Sequence, residues 1–264
     1  MNAQSPTTVV VGIDGSRQAI HAAEWAIDEA VSRDITLRLV HATQPDKEPA
    51  AIEYAEAALR AASAAVEATG KPVMVATAIV HGSPDAVLIA ESSGAEMLCV
   101  GSVGIGSVAR ILLGSTAATL ATEGYCPVAI IRSRRDAAPS DSGWIAVVVD
   151  DDPDNDAVVA QAMREAKLRG ASLLAIGVWR SGLGEIPYDQ LDRRLGKWVN
   201  QYPDVHVQPV AARSGPAEFL RNTDEAIQLT VVGTRDANHI AALVGPPGHP
   251  IFAHAECSVL IVHD

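Results

Sequence analysis

Residues 7–13, TTVVVGI, form a short β-branched run that stops at Asp14-Gly15-Ser16. Such a run predicts a strand, and Asp-Gly-Ser after it is turn and helix-cap chemistry. Over 17–33 the period changes. Ile20, Ala23, Ala26, Ile27, Ala30 and Val31 recur at helical spacing. A second apolar run, Ile35 to Ala42, makes the unit strand–helix–strand, long enough for a parallel crossover. The alternation continues with an Ala-rich helix over about 48–69 closing at Gly70, and a strand Val73–Val80. Gly82 and Pro84 open a short helix to Ser92. Strand Met97–Gly101 leads into a Gly-rich loop, a helix covers 115–123, and Val128–Ile131 is a last strand. Five short apolar strands alternating with helices predict a doubly wound parallel sheet covered on both faces.

The pattern breaks at 134–143, RRDAAPSDSG, which reads as a linker, and then restarts. Ile145–Val149 ends at Asp150, 136 positions after Asp14. Glu165-Ala166 and Arg169 repeat Glu29-Ala30 and Arg33 at that same offset. Pro216 and Val232-Gly233 repeat Pro84 and Val100-Gly101 at 132, and Cys257-x-Val259 repeats Cys126-x-Val128 at 131. Matches that keep their order and fall at the same structural punctuation mark a tandem repeat. The fold class is therefore α/β: two five-stranded, Rossmann-like parallel-sheet domains, at 1–137 and 143–264.

Composition narrows the partners. The chain has 264 residues, 48% hydrophobic and only 4% aromatic, so its core is built from Ala, Val, Leu and Ile. The net charge of −12 argues against nucleic acid or an anionic membrane as a partner held by charge. No apolar run approaches the roughly 20 residues that span a bilayer. Met1 to Thr8 lacks the pattern of a secretion signal. Three scattered cysteines (Cys99, Cys126, Cys257) build neither a disulfide nor a zinc framework. Repeat inheritance accounts for Cys126 and Cys257 without redox chemistry. A cytoplasmic protein is the expectation. With only Lys47, Lys71, Lys167 and Lys197, any anion site must rely on backbone N–H groups, hydroxyls or arginine.

The segment Gly101 to Thr116, GSVGIGSVARILLGST, offers those groups. It leaves a buried strand and enters a helix. Its glycines, Gly101, Gly104, Gly106 and Gly114, permit close backbone approach, and successive N–H groups ahead of a helix N-terminus cradle an anion. Ser102, Ser107, Ser115 and Thr116 supply hydroxyls, and Arg110 a cation. A flexible turn with a Ser/Thr N-cap is the plainer reading of the same residues. Asp14 ends the first strand and Gly101 the fourth, so both can flank the crevice where strand order reverses. For Asp14 an N-cap of helix 17–33 is the structural alternative. His41 follows the second strand, as a pocket wall or as a strand-end surface residue.

Gly101-x2-Gly104-x9-Gly114-Ser115 resembles the G-2x-G-9x-G-(S/T) ATP motif of the universal stress protein family. Val11 to Ser16 is similar to that family's first strand, and Cys126-Pro127-Val128-Ala129-Ile130-Ile131 to its last. The resemblance spans nearly the whole chain as a tandem, nearest to actinobacterial members linked to hypoxia and dormancy. It implies ATP lying across the carboxyl ends of the strands. Gly12, Ile13 and Asp14 would line the adenine and ribose pocket, and Val40 and Ala42 would offer backbone groups and an apolar edge to adenine. Gly101 and Gly104 would approach ribose and phosphates, and Gly114, Ser115 and Thr116 would bind phosphate oxygens. It also implies pairing through the last strands, Val128–Ile131 and Val259–Val262, as an intrachain pseudo-dimer or a homodimer.

The second half departs from the motif: Gly233-Thr234-Arg235-Asp236, then Gly245-Pro246-Pro247. Asp236 replaces the second glycine, the spacing is one residue short, and two prolines remove N–H donors. Asp150, Asp151, Asp152, Asp154 and Asp156 crowd the mouth of the first strand. Lost or weakened ATP binding is expected there. Asp150-x-Asp152-x-Asp154 has EF-hand-like spacing, but Asn155 and Gln161 stand where that loop needs Gly and Glu. A solvated helix N-terminus is the better reading. Gly104-x-Gly106-x-x-Ala109 fits a dinucleotide fingerprint only as a string, because it follows the fourth strand. His239, His249 and His254 show no ligand spacing.

No general base stands out beside the Gly-rich loop, so the expected function is an ATP-binding regulatory or sensor module read by protein partners. One alternative is a slow ATPase or adenylate-transferring protein, in which Asp14 holds Mg²⁺ or orients water. Another is a partner-binding scaffold with a vestigial nucleotide site.

Overall fold

The computed structural model describes residues 7–44, 49–103, 113–132, 143–150, 152–177, 188–212, 215–235 and 257–263. They fall in two compact units, Met1–Ser133 and Arg134–Val262.

In the first unit, β1 (Thr8–Gly12) is followed by α1 (Arg17–Arg33), β2 (Thr36–Thr43), α2 (Pro49–Ala68) and β3 (Val75–His81). Then come α3 (Pro84–Ser92), β4 (Ala95–Gly101), α4 (Ser115–Glu123) and β5 (Val128–Ile131). The strand order is β3-β2-β1-β4-β5, with parallel ladders. Beta-branched and aliphatic strand residues such as Val9, Val11, Leu37, Leu39, Leu98 and Ile130 are wholly buried. This is the continuous apolar pattern of a sheet covered on both sides. Helices α1 and α2 pack together, and α3 packs with α4. Alanines at 22, 23, 26 and 30 let α1 lie close on the sheet. At Gly101 a Cβ would stand 2.8 Å from Gln18 Cβ and 2.9 Å from the Gln18 carbonyl carbon, so glycine is required for this approach.

The second unit runs β6 (Trp144–Val149), α5 (Asn155–Arg169), β7 (Leu173–Gly177), α6 (Tyr188–Gln201), β8 (Val207–Ala211), α7 (Pro216–Asn222), β9 (Ile227–Gly233) and β10 (Ser258–Val262). Its order, β8-β7-β6-β9-β10, repeats that of the first, again in parallel.

The repeated Glu–Arg pairs have a structural cause. Arg33 meets Glu29 at 2.5 Å and Arg169 meets Glu165 at 2.9 Å, each one helical turn apart near the end of α1 or α5. Both carboxylates are buried, where a charge is tolerated only with a partner. Cys126, just ahead of β5, is inert by burial, which pushes its thiol up to about 12. Among the described residues no helix is long and apolar enough to cross a membrane.

Candidate nucleotide cleft

Strand order reverses beside β1, which lies between β2 and β4, so a crevice opens at the carboxyl ends of these strands. In the first unit it is a cleft of about 580 Å³, a size suited to a small ligand. Gly12 at the end of β1 with Ile13 and Asp14 just beyond it, Val40 and Ala42 from β2, and Gly101 from β4 all line it. Gly114, Ser115 and Thr116 at the start of α4 close the far side. Residues separated by more than a hundred positions thus meet on one surface.

Each wall comes from local chemistry. Beyond β1 the ladder continues by one bond, Ile13 N–H to the Val40 carbonyl at 2.8 Å, which turns Asp14 over the crevice. Ser16, not Asp14, is the N-cap of α1: its hydroxyl accepts the Ala19 N–H at 3.1 Å. Asp14 instead accepts the Ser16 N–H on Oδ1 at 2.9 Å. Gly15 has φ +88°, and a Cβ there would collide with the Tyr54 hydroxyl. That hydroxyl donates to the Asp14 carbonyl at 2.9 Å. Opposite, Pro84 and Leu88 of α3 form an apolar wall. A Cβ on Gly12 would come within 2.8 Å of the Leu88 side-chain end, so Leu88 packs directly over the glycine. Arg38 of β2 ties α3 to the sheet, donating to both oxygens of Glu91 at 2.9 Å, and Glu91 raises the Arg38 pKa chiefly through that bond. At the start of α3 the Asp85 carboxyl is held low, first by the Ser83 side chain and then by the Ala86 N–H.

The phosphate side rests on α4. Its N-cap is Gly114, which has no side chain with which to cap, and no side-chain cap bond is made. The first amides of a helix have no partner within it, so Ser115 and Thr116 bring polar N–H groups and hydroxyls to the cleft at the positive end of the helix dipole. Ser102 takes a different place. It is buried and absent from the lining; its N–H donates to Ile131 at 2.9 Å and its carbonyl accepts the Gly114 N–H at 2.8 Å. It joins the two ends of the Gly-rich segment. Gly104, Gly106, Ser107 and Arg110 lie outside the described residues.

The cleft also takes in Ala19, Val100 and Ala117, which no motif marks, together with the cap residue Ser16 and Val103 of the Gly-rich segment. His41 is a wall residue: it is 9% exposed, with Nδ1 unpartnered among the described residues and its ring edge-on to Tyr54 at 6.0 Å. Pro84 and Leu88 had a signal, the Gly-Ser-Pro helix opening. Tyr54 had none, because a tyrosine on an amphipathic helix does not announce its target.

At the corresponding mouth of the second unit the acidic run is not simply solvated. Asp150 is buried and accepts the Asp152 N–H at 3.0 Å, while its own N–H donates to Asn155 Oδ1 at 3.2 Å. Asp154 holds the N-cap position but makes no side-chain cap bond. Asp152 pairs with Arg235, two residues past Gly233, where the first unit has Val103. Asp156 pairs with Lys197 and lies 3.7 Å from Arg194, which also donates to the Asp152 carbonyl. Asp150 and Asp152 thus accept turn amides, and Asp152 and Asp156 face cations. Asp151, Asp236, Pro246, Pro247 and the histidines at 239, 249 and 254 lie outside the described residues.

Residues 6–132 and 144–263 each match the model of the Universal stress protein family. The chain is 50% identical over 260 residues to Universal stress protein Rv2624c of Mycobacterium tuberculosis, covering 97% of this chain and 96% of that one. It is 42% identical over 253 residues to Universal stress protein Rv3134c of the same organism, covering 90% and 92%. A universal stress protein from Archaeoglobus fulgidus superposes with a TM-score of 0.71 at 17% identity, covering 97% and 96%, a likeness of fold. The chain belongs to the universal stress protein family.

Proposed function

We propose that this universal stress protein binds one ATP per chain, in the first unit, and acts as a cytoplasmic nucleotide-dependent regulatory or sensor module in a stress or dormancy response. The observation that carries the reading is the glycine-capped start of α4, whose amides and hydroxyls border a cleft at the switch point of the sheet. Phosphates take the Gly114–Thr116 end, together with the Gly-rich loop residues Gly104, Gly106, Ser107 and Arg110. Ribose takes Asp14 and Gly101. Adenine takes the apolar end of Gly12, Ile13, Val40 and Ala42, against Leu88. The Val40 carbonyl already accepts from Ile13 but keeps a second lone pair for an adenine amine.

The chemistry of this lining favours regulation over turnover. It offers hydrogen-bond donors for phosphate and a single carboxylate, Asp14, already engaged with the Ser16 amide. Small molecules released by denaturing freshly purified protein should contain ATP at about one per chain, and equilibrium dialysis should give one site. Two equivalent sites, or none, would refute the reading. Gly104→Leu should abolish ATP binding and leave the circular dichroism spectrum unchanged.

A further inference from the structure

Tyr54 stands outside the cleft lining, half-exposed on α2, yet three observations fasten it to the cleft. Its hydroxyl donates to the Asp14 carbonyl at 2.9 Å across forty positions of sequence. That hydroxyl fills the space a side chain at residue 15 would need, and Gly15 holds φ +88° there. Its ring stands edge-on to the buried His41, a wall residue of the cleft, with centroids 6.0 Å apart and planes at 66°. One side chain thus touches both the turn that presents Asp14 and the strand end beside the adenine pocket.

The other unit carries an analogous brace made with different chemistry. There α6, which also crosses between the second and third strands of its unit, sends Arg194 back to the Asp152 carbonyl in the turn after β6. Bracing that turn from the second crossover helix is therefore common to both copies. Only the first copy does it with a neutral phenol, which adds no charge beside a phosphate-bearing ligand.

We propose that Tyr54 is a positioning residue of the first cleft. Through its hydroxyl it fixes the Asp14–Gly15 turn, and so sets the Asp14 carboxylate on the ribose hydroxyls. The inference rests on the nucleotide reading above. A carboxylate accepting from two ribose hydroxyls needs its backbone held. The bond between the Ser16 amide and Oδ1 orients the side chain, and the Tyr54 bond anchors the carbonyl of the same residue.

The test is Tyr54→Phe in the full chain, with Asp14→Asn and the double variant, titrated with ATP and with 2′,3′-dideoxy-ATP. The phenylalanine keeps the ring against His41 and removes only the hydroxyl. ATP affinity should fall about 3–10-fold, the worth of one hydrogen bond. Dideoxy-ATP affinity should stay unchanged, so the preference between the two ligands narrows. The double variant should bind ATP as weakly as Asp14→Asn alone, because Tyr54 acts through Asp14. Unchanged ATP affinity in Tyr54→Phe would overturn the inference, as would equal losses for both ligands or additive losses in the double variant. A wild-type chain that binds neither ligand sinks the nucleotide reading itself. A wild-type chain that binds ATP while Tyr54→Phe behaves identically sinks this inference alone.

Discussion

The two strand-1 mouths share a topology and differ in what fills them. In the first unit, Asp14 stands beside an open cleft bounded by Val103 and by the glycine-capped helix α4. In the second, Asp150 is buried in its own turn, and Arg235, at the position of Val103, reaches across to Asp152. Lys197 and Arg194 face Asp156 there, and Arg235 faces Asp152. The strand order sets the same switch point in both units, and the anion site proposed for the first needs donors at its mouth. In the first unit the first-turn amides of α4, which have no partner within the helix, border the cleft. In the second the residues aligned with Ser115 and Thr116 are Pro246 and Pro247, which have no N–H to offer.

Exchanging that pair should have the largest effect on the first unit. Ser115→Pro with Thr116→Pro gives the first unit the sequence of the second. Proline is tolerated in the first turn of a helix, so α4 should persist. Two charge-assisted bonds to phosphate would go, together about 3–6 kcal/mol, or at least 100-fold in affinity. Isothermal titration with ATP checks it. Retained affinity would move the phosphate site away from α4.

The architecture is legible in the sequence because both of its signals are local. Apolar runs four to eight residues long and helical periodicity mark the strands and helices from β1 to β5 within a few residues of their ends. The repeat of Asp14, Glu29 and Arg33 at Asp150, Glu165 and Arg169 shows the tandem. The lining of the cleft is legible where glycine, Asp, Ser or Thr carries a motif. It is hidden where the contribution depends on approach from another element. Leu88 packs where a Cβ on Gly12 would stand, and the Tyr54 hydroxyl where one on Gly15 would. Ser102 reads like a ligand hydroxyl, but its backbone is used to join Ile131 and Gly114, and the side chain is buried as a result. The acidic run beyond β6 reads as solvated because its partners, Arg194, Lys197 and Arg235, lie about forty to eighty residues away.

The shared Glu–Arg pairs supply the next largest effect and a way to weigh one unit against the other. Glu165→Ala should destabilise the second unit by about 3 kcal/mol, since it takes a buried carboxylate partner from a guanidinium that is 12% exposed. Glu29→Ala should cost less in the first, where Arg33 is 23% exposed and reaches water more readily. Hydrogen exchange resolved by peptide mass reports each unit separately. Equal losses would mean that the two pairs are energetically alike despite their burial.

Arg235→Val gives the second mouth the residue of the first. The pair it removes joins a guanidinium 56% exposed to a carboxylate 19% exposed, so the loss in stability should not exceed about 1 kcal/mol and should shrink in high salt. The variant should still bind no ATP in the second unit, because opening a mouth does not restore amides to Pro246 and Pro247. ATP binding at a second site in Arg235→Val would show that the ion pair alone blocks the site.

The smallest difference lies at the far ends of the same two helices. Both α1 and α5 end on a left-handed residue that bonds back to the last turn: Asp34 at φ 53° in the first unit and Gly170 at φ 58° in the second. Glycine adopts that conformation without strain, whereas aspartate crowds its Cβ and also places a negative charge at the negative end of the helix dipole. Asp34 is exposed, so its side chain contributes little packing. Asp34→Gly should therefore stabilise the first unit by about 0.5 kcal/mol, net of the greater freedom glycine gives the unfolded chain. Gly170→Asp should weaken the second by a similar amount. Urea melts read through exchange in α1 and α5 test both, and a first unit destabilised by Asp34→Gly would mean that the aspartate holds a contact worth more than the strain it carries.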